Sequence, residues 1–408
     1  MNKKTIFILL FLSLLNIRGY SQNFNKYFQQ GKDFYNKSEY MNALERFDLA
    51  YEFAKNDKEK SDAREWKVKS REKIVEVLDR FEKIQLKLET AIFERALKNQ
   101  DQTWRGFENY SSEADWKKIL ANINELDLSG NSLIRLPKEV MMCKNLKALN
   151  LSKNPEIDWP VCFGRLSNLS SLSELQLANN KMNELPAEII EIKKLSQIYL
   201  NFNELKKLPP EISQLKNLER IVLENNDFST FPIELLQLSG IAELSLNANK
   251  IKELPGEIGD LKKLNKLYVS SNQLEKIPAN IGTLSQLKEL ELGINNLKEI
   301  PPEIGNLKSL TYLGLYNNHI DLLPSEIGLL TGLKEMNLSG NNLNDVPKEI
   351  GNMSNLKILN LSDNKIKSMP TEIGYLKKLE YLNLEKNQIS DSEKERIKNL
   401  LPKCKTIF

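Results

Sequence analysis

Histidine is almost missing from this chain: His319 is the single one in 408 residues. A zinc centre built on imidazole, or a nucleophile–histidine–carboxylate triad, would have to be assembled around that one ring, which follows Asn318 at a bend expected to face solvent. Cysteine is scarce too, at three, enough for one bridge and a leftover thiol. The glycines form neither G-x-x-x-x-G-K-[ST] nor G-x-G-x-x-G, so no phosphate-cradling loop is present. Neither charge sign dominates, with 58 basic and 55 acidic residues interspersed. That leaves no basic stripe for a nucleic acid or an anionic membrane. Paired carboxylates such as Glu289 and Glu291 can be drawn between turns, but acids recur throughout and assign no catalysis. No cofactor, no metal and no enzymatic activity are expected.

Proline is absent before Pro137, and all fifteen lie from there on. Between Gln22 and Ile119 only Gly31 and Gly106 interrupt the chain, so this part is expected to be helical. Long apolar runs are missing as well, apart from Ile6–Leu15 behind Lys3 and Lys4. At ten residues it is about half of the roughly 20 a spanning helix needs. With Gly19 and Ser21 after it, it reads as a leader over 1–21, cleaved near Ser21 and implying export; if the leader is kept, a cytoplasmic location follows. No stable membrane insertion is expected.

What the chain has in abundance is a repeat. Leu264 to Pro278 shows L-x-x-L-x-L-x-x-N-x-L, and its asparagine recurs at Asn131, Asn154, Asn180, Asn203, Asn226, Asn249, Asn272, Asn295, Asn318, Asn341, Asn364 and Asn387. A turn of this length cannot bury its own apolar edge, whereas stacked turns bury a continuous column. In L-x-L the leucines point inward and the residue between them outward. The asparagine turns the chain, proline stops a strand from continuing, and E-I-G-x-L returns along the outer face as a short helix or 3₁₀ segment. On these residues the chain resembles the leucine-rich repeat family, and P-x-E-I-G-x-L is similar to its Ras-suppressor and Scribble-like scaffold subclass. The resemblance implies an α/β solenoid, a horseshoe with a parallel concave sheet, that binds macromolecules.

The expected organisation is a leader at 1–21, an all-α domain at 22–119, a twelve-turn solenoid at 120–389 and a C-terminal cap at 390–408. In the helical part Tyr27, Gly31, Phe34, Ala43, Phe47 and Ala50 resemble one tetratricopeptide repeat, with Lys55 where that family has proline. Ile74, Val77, Phe81, Ile84, Leu88 and Ala91 form a heptad seam, for a coiled-coil dimer or for packing on preceding helices, so the oligomeric state stays open. Trp104, Trp116, Ile119, Leu120 and Ile123 are expected to cap one end of the leucine column. At the other end Ser392 with Glu395 is compatible with a helix cap, and Cys404 and Ile407 are expected to cover the last turn. Trp159 stands where other turns have leucine before proline and is expected to be buried. Cys143 and Cys162 are either a bridge between turns or separate core thiols.

Function on such an array is expected on the concave strands, about 4.8 Å apart over an arc on the order of 50 Å. Outward positions there hold Tyr199, Tyr268, Tyr312 and Tyr316, with Phe202 nearby and Arg220, Lys266, Glu289 and Glu291 as a charged rim. Tyrosine suits strands, and it also contributes interface area at small entropic cost. The expected function is a non-catalytic, exported module holding a protein ligand on this face. A glycan-binding or adhesive surface protein is the alternative, and a cytoplasmic signalling scaffold a further one if the leader is not removed.

Overall fold

The computed structural model describes residues 24–52, 54, 57–100 and 120–408. The expected leader, its cleavage point, and Trp104, Trp116 and Ile119 lie outside the described residues. The chain divides into two units between Leu88 and Glu89.

In the first unit α1 (Phe24–Asn36) and α2 (Tyr40–Glu52) pack together, followed by the start of α3 (Asp57–Gln100). Gly31 lets the helices approach, since a Cβ there would come within 2.6 Å of the Phe47 ring. Ala43, Phe47 and Ala50 are fully buried. Trp66 from α3 stacks on Phe47 with ring centroids 5.6 Å apart. Along the expected heptad seam Ile74 is half-buried while Val77 is exposed. The side chains of Phe81, Ile84 and Leu88 lie outside the described residues.

The second unit is a single sheet of thirteen parallel strands in sequence order. They run from β1 (Glu125–Asp127), β2 (Ala148–Asn150), β3 (Glu174–Gln176), β4 (Gln197–Tyr199), β5 (Arg220–Val222), β6 (Glu243–Ser245) and β7 (Lys266–Tyr268) through β8 (Glu289–Glu291), β9 (Tyr312–Gly314), β10 (Glu335–Asn337), β11 (Ile358–Asn360) and β12 (Tyr381–Asn383) to β13 (Lys405–Ile407). The middle residue of each of β1 to β12 is buried: Leu267 is inaccessible, as is Val269 just beyond its strand. Fully burying one such side chain is worth about 1.5–3 kcal/mol, and the column runs without a break from Leu120 to Leu401. Phe93, Leu120 and Ile123 join it at one end.

The outer returns are short 3₁₀ segments, each entered through a proline such as Pro278 or Pro301. The glycine of E-I-G sets their spacing: a Cβ on Gly305 would overlap the carbonyl oxygen of Glu326 in the next turn. The turn from Asn154 to Asn180, 26 residues where the other ladder asparagines are 23 apart, departs from this pattern and forms α4 (Trp159–Leu166). Asp158 accepts from Val161 N at 3.2 Å, Pro160 sits in the first turn where no amide is needed, and Trp159, Cys162, Phe163 and Leu166 line one buried face. Trp159 is buried as expected, 8% exposed.

The C-terminal cap holds one correction. Helix α5 (Asp391–Leu400) starts two residues earlier than the Ser392–Glu395 pair implies, with Ser390 Oγ accepting from Glu393 N at 3.3 Å. Glu393 accepts from Met369 N at 2.9 Å, and Arg396 donates to the Met369 carbonyl. The helix start is therefore fixed by the preceding turn as well as by local capping. Ile397 and Leu401 are buried, and the half-buried Cys404 packs against the same core.

The asparagines complete the fold. Asn295 Oδ1 accepts from Leu274 N at 2.9 Å, while its Nδ2 donates to Val269 O at 2.9 Å and Leu292 O at 3.0 Å. One side chain thus joins its own turn to the one before it, and most ladder asparagines repeat the arrangement. The residue before each ladder asparagine takes positive φ, from Gly130 at 65° to Lys386 at 57°. Ile294 adopts 55° there, where a branched side chain is strained. Replacing Asn295 with Ala leaves buried groups unpaired and is expected to cost about 2–4 kcal/mol, since each orphaned group costs about 1–3, measured by urea unfolding. By the same assay Ile294→Gly is expected to stabilise by about 1 kcal/mol, the scale of left-handed strain for an L residue.

Candidate ligand-binding face

Parallel pairing without register shift aligns outward residues of successive strands into two lanes. One runs Gln197, Arg220, Glu243, Lys266, Glu289, Tyr312, and the other Tyr199, Val222, Ser245, Tyr268, Glu291, Gly314. A third line, just past the strands, holds Glu224, Asn247, Ser270, Gly293 and Tyr316.

The lanes bring the expected residues into pairs. Arg220 Nη2 lies 2.7 Å from Glu243 Oε1, and its guanidinium sits 5.3 Å from the centre of the Tyr199 ring. Lys266 Nζ lies 3.1 Å from Glu289 Oε1, and the Tyr268 hydroxyl donates to the same carboxylate. Tyr312 Oη donates to Glu291 Oε2 at 2.7 Å, while Gly293 N donates to Glu291 Oε1 at 2.8 Å. Glu289 and Glu291 therefore take separate partners. Arg220, Lys266, Glu289 and Glu291 all lie on strands within the face, at the outward positions expected for them and interleaved with the tyrosines. Phe202 is set apart: it stands at the left-handed bend before Asn203, with φ 55° and 50% exposure.

Several contributing groups escaped the sequence reading. Gly293 and Gly314 are there for clearance, because a Cβ on the first would strike the Tyr316 ring and on the second the Glu291 carboxylate. The sequence signal was a glycine at outward positions where neighbouring turns carry side chains. Glu224 accepts from Ser245 Oγ at 2.5 Å and from Asn247 Nδ2 at 3.3 Å. Only the folded register brings these three together. Across the twelve turns the acids in the two lanes and the line just past them are Glu125, Asp127, Glu174, Glu224, Glu243, Glu289, Glu291, Glu335 and Glu385, against the cations Arg220 and Lys266.

Half-burial on the sheet shapes the titration of these groups. Burial raises the Tyr312 phenol, and its bond to the Glu291 carboxylate and the nearby Glu335 add to the effect. Tyr268 rises for the same reasons, through burial, Glu289 and Glu243. Tyr316 is raised by burial and then by Glu291. For Glu289 burial opposes ionisation, but Tyr268 and Lys266 outweigh it and hold the carboxyl below its usual value. Outside the face, Cys143 and Cys162 are free thiols, and burial pushes each up to about 12. His319 is exposed. Among the described residues no group of three or more His, Cys, Asp or Glu side chains could hold a metal ion, and no helix is long and apolar enough to cross a membrane.

A family model described as a leucine-rich repeat region matches residues 233–313 and 302–401. An adenylate cyclase of Schizosaccharomyces pombe is 30% identical over 92 residues, 22% of this chain and 5% of that protein. The chain spans only 5% and 11% of the two curated relatives it matches. Among solved structures, an internalin of Listeria monocytogenes superposes with TM-score 0.61 at 22% identity, covering 78% of this chain and 94% of that one. A plant peptide hormone receptor, RGFR1 in complex with RGF2, gives 0.51 at 26% identity over 62% of this chain and 46% of the receptor. Residues 233–401 carry the leucine-rich-repeat match, and the fold of the chain is a leucine-rich-repeat solenoid with a helical segment at the N-terminal end.

A raised tyrosine pKa favours the neutral phenol in the fold. The tyrosine contribution to stability is therefore intact below the unfolded value of about 10 and declines as pH rises through the range where only unfolded phenols ionise. Urea unfolding at mildly and strongly alkaline pH is expected to show this decline in the native chain and a smaller one in Tyr268→Phe/Tyr312→Phe.

Proposed function

We propose that this is an exported, non-catalytic binding module whose concave face, centred on Tyr268 and Tyr312, holds a protein ligand. The observation that carries the reading is the pair of half-buried tyrosines on β7 and β9, each with its hydroxyl held by a carboxylate of the strand between them, β8. Side chains ordered before a ligand arrives lose little further entropy on binding, and tyrosine combines large contact area with few torsions. The receptor described with RGF2, similar over 62% of this chain, supports a polypeptide ligand. The leader sequence supports export. The excess of carboxylates on the face disfavours a phosphate backbone, in line with the absence of a basic stripe. The proposed organisation remains the leader at 1–21, the tetratricopeptide-like and heptad-bearing helices at 22–119, the solenoid at 120–389 and the cap at 390–408.

A glycan ligand is the second reading, because tyrosine rings beside fixed carboxylates also suit sugar rings and their hydroxyls. Affinity capture from periplasmic or host protein extracts, with ligands identified by mass spectrometry, is expected to yield a protein that native chain retains and Tyr268→Ala/Tyr312→Ala loses. Loss of retention on immobilised polysaccharide alone would transfer the assignment to the glycan. Mass measurement of the purified chain is expected to show a mature start at Gln22, and an intact Met1 would return the cytoplasmic scaffold to first place.

A further inference from the structure

We infer that the ligand of the concave face is an extended cationic polypeptide segment, whose lysine or arginine side chains lie over Tyr312 and Tyr316 between Glu291 and Glu335. This rests on the concave-face reading and specifies the chemistry of its partner.

The inference comes from the mismatch between the face and the chain. Outside the proposed leader the chain is neutral, with 55 basic and 55 acidic residues, yet the two lanes and the line just past them hold nine carboxylates against two cations. Both cations are engaged within the face, Arg220 by Glu243 and Lys266 by Glu289. Glu291 and Glu224 are oriented instead by neutral donors, a phenol and an amide N–H for the first and a hydroxyl and a carboxamide for the second. Such donors fix a carboxylate without cancelling its charge, which stays available to an incoming cation. The tyrosines supply the other half of the site. Arg220 already sits over the Tyr199 ring at 5.3 Å, and Tyr316, set against the side-chain-free Gly293, places a second ring beside Glu291. A cation there meets a ring quadrupole and carboxylates together.

The dimensions favour a polypeptide over a compact cation. From β6 to β10 the sheet spans about 19 Å at about 4.8 Å per strand, the reach of roughly six extended residues at about 3.3 Å each. Over that span the carboxylates alternate with Ser245, Asn247 and Asn337, neutral groups suited to peptide amides. Complementary charge of this kind also speeds encounter and makes binding salt-sensitive.

The test uses the full chain and fluorescence anisotropy with three labelled dodecapeptides: alternating Lys and Ser, the same with Gln for Lys, and the same with Glu for Lys. The Lys peptide is expected to bind at least about tenfold more tightly than the other two, and to weaken as salt rises past the point where the Debye length falls below about 10 Å. Glu224→Gln/Glu291→Gln/Glu335→Gln is expected to lose about tenfold in affinity, the scale on which charge complementarity acts. Glu303→Gln/Glu326→Gln/Glu349→Gln, an equal change of charge on the outer face, is expected to match the native chain. Should the concave triple variant unfold at a lower temperature, Glu335→Gln alone carries the same comparison. Lys and Glu peptides binding within about twofold of each other, or no difference between the two triple variants, overturns the inference. In that event the concave-face reading survives if Tyr268→Ala/Tyr312→Ala still abolishes capture of the native ligand, and both fall if it does not. Spermine displacing the Lys peptide at equal charge concentration would also overturn the polypeptide assignment.

Discussion

The structure depends on the accounting of backbone polar groups at the bend after each strand. Strands of three residues are too short to be ordered by their own ladder, and the bend that follows is neither strand nor helix. Its amides and carbonyls lie against the leucine column, out of reach of water, where an unpaired group is costly. The ladder asparagine meets this demand with one acceptor and two donors. Asn318, for example, accepts from Leu297 N at 3.0 Å and donates to Leu292 O at 3.0 Å and Leu315 O at 3.1 Å. Because the partners belong to two turns, satisfying one bend also fixes the register of its neighbour. Asn131, in the first turn, donates its carboxamide to Ser129 O within its own bend, at 3.1 Å.

That register creates the surface. With the inward leucines committed, the outward residues of successive turns are forced into alignment, and Lys266 meets Glu289, Tyr312 meets Glu291 and Ser245 meets Glu224 whether or not they lie near one another in sequence. Glycine enters where these partners need room, at Gly293 under Tyr316 and at Gly314 under Glu291. The strain of Ile294 at positive φ shows how strongly the bend is imposed. A β-branched residue would leave that conformation in a free peptide, and here the asparagine bonds on either side hold it.

Much of this was legible from residues alone. The positions of the strands, the buried middle leucine, the proline entry to each outer return, the burial of Trp159 and the final strand at Lys405–Ile407 all follow from local patterns of two, three and twenty-three residues. The start of α5 was misplaced by two residues because Ser390 and Ser392 are both acceptable caps locally. Glu393 accepting from Met369 N, in the preceding turn, decided between them. The enlarged turn could be recognised as irregular, but its helical form depends on Trp159, Cys162, Phe163 and Leu166 finding a buried face together. Arg220 and Lys266 were legible as outward strand residues, whereas their pairing with Glu243 and Glu289 follows only from the register between turns.

By itself the sequence determined the turn: its length, its inward apolar set and the residue that closes it, since each of these is a local periodicity. It also determined which residues point outward, because side chains alternate along a strand. Only the tertiary structure decided what those outward residues do to one another. Pairing between turns is set by stacking distance and register, and a carboxylate twenty-one residues from its tyrosine carries no local mark of that partnership. The unequal charge of the concave face is a property of the same kind, visible once residues from separate turns are placed side by side.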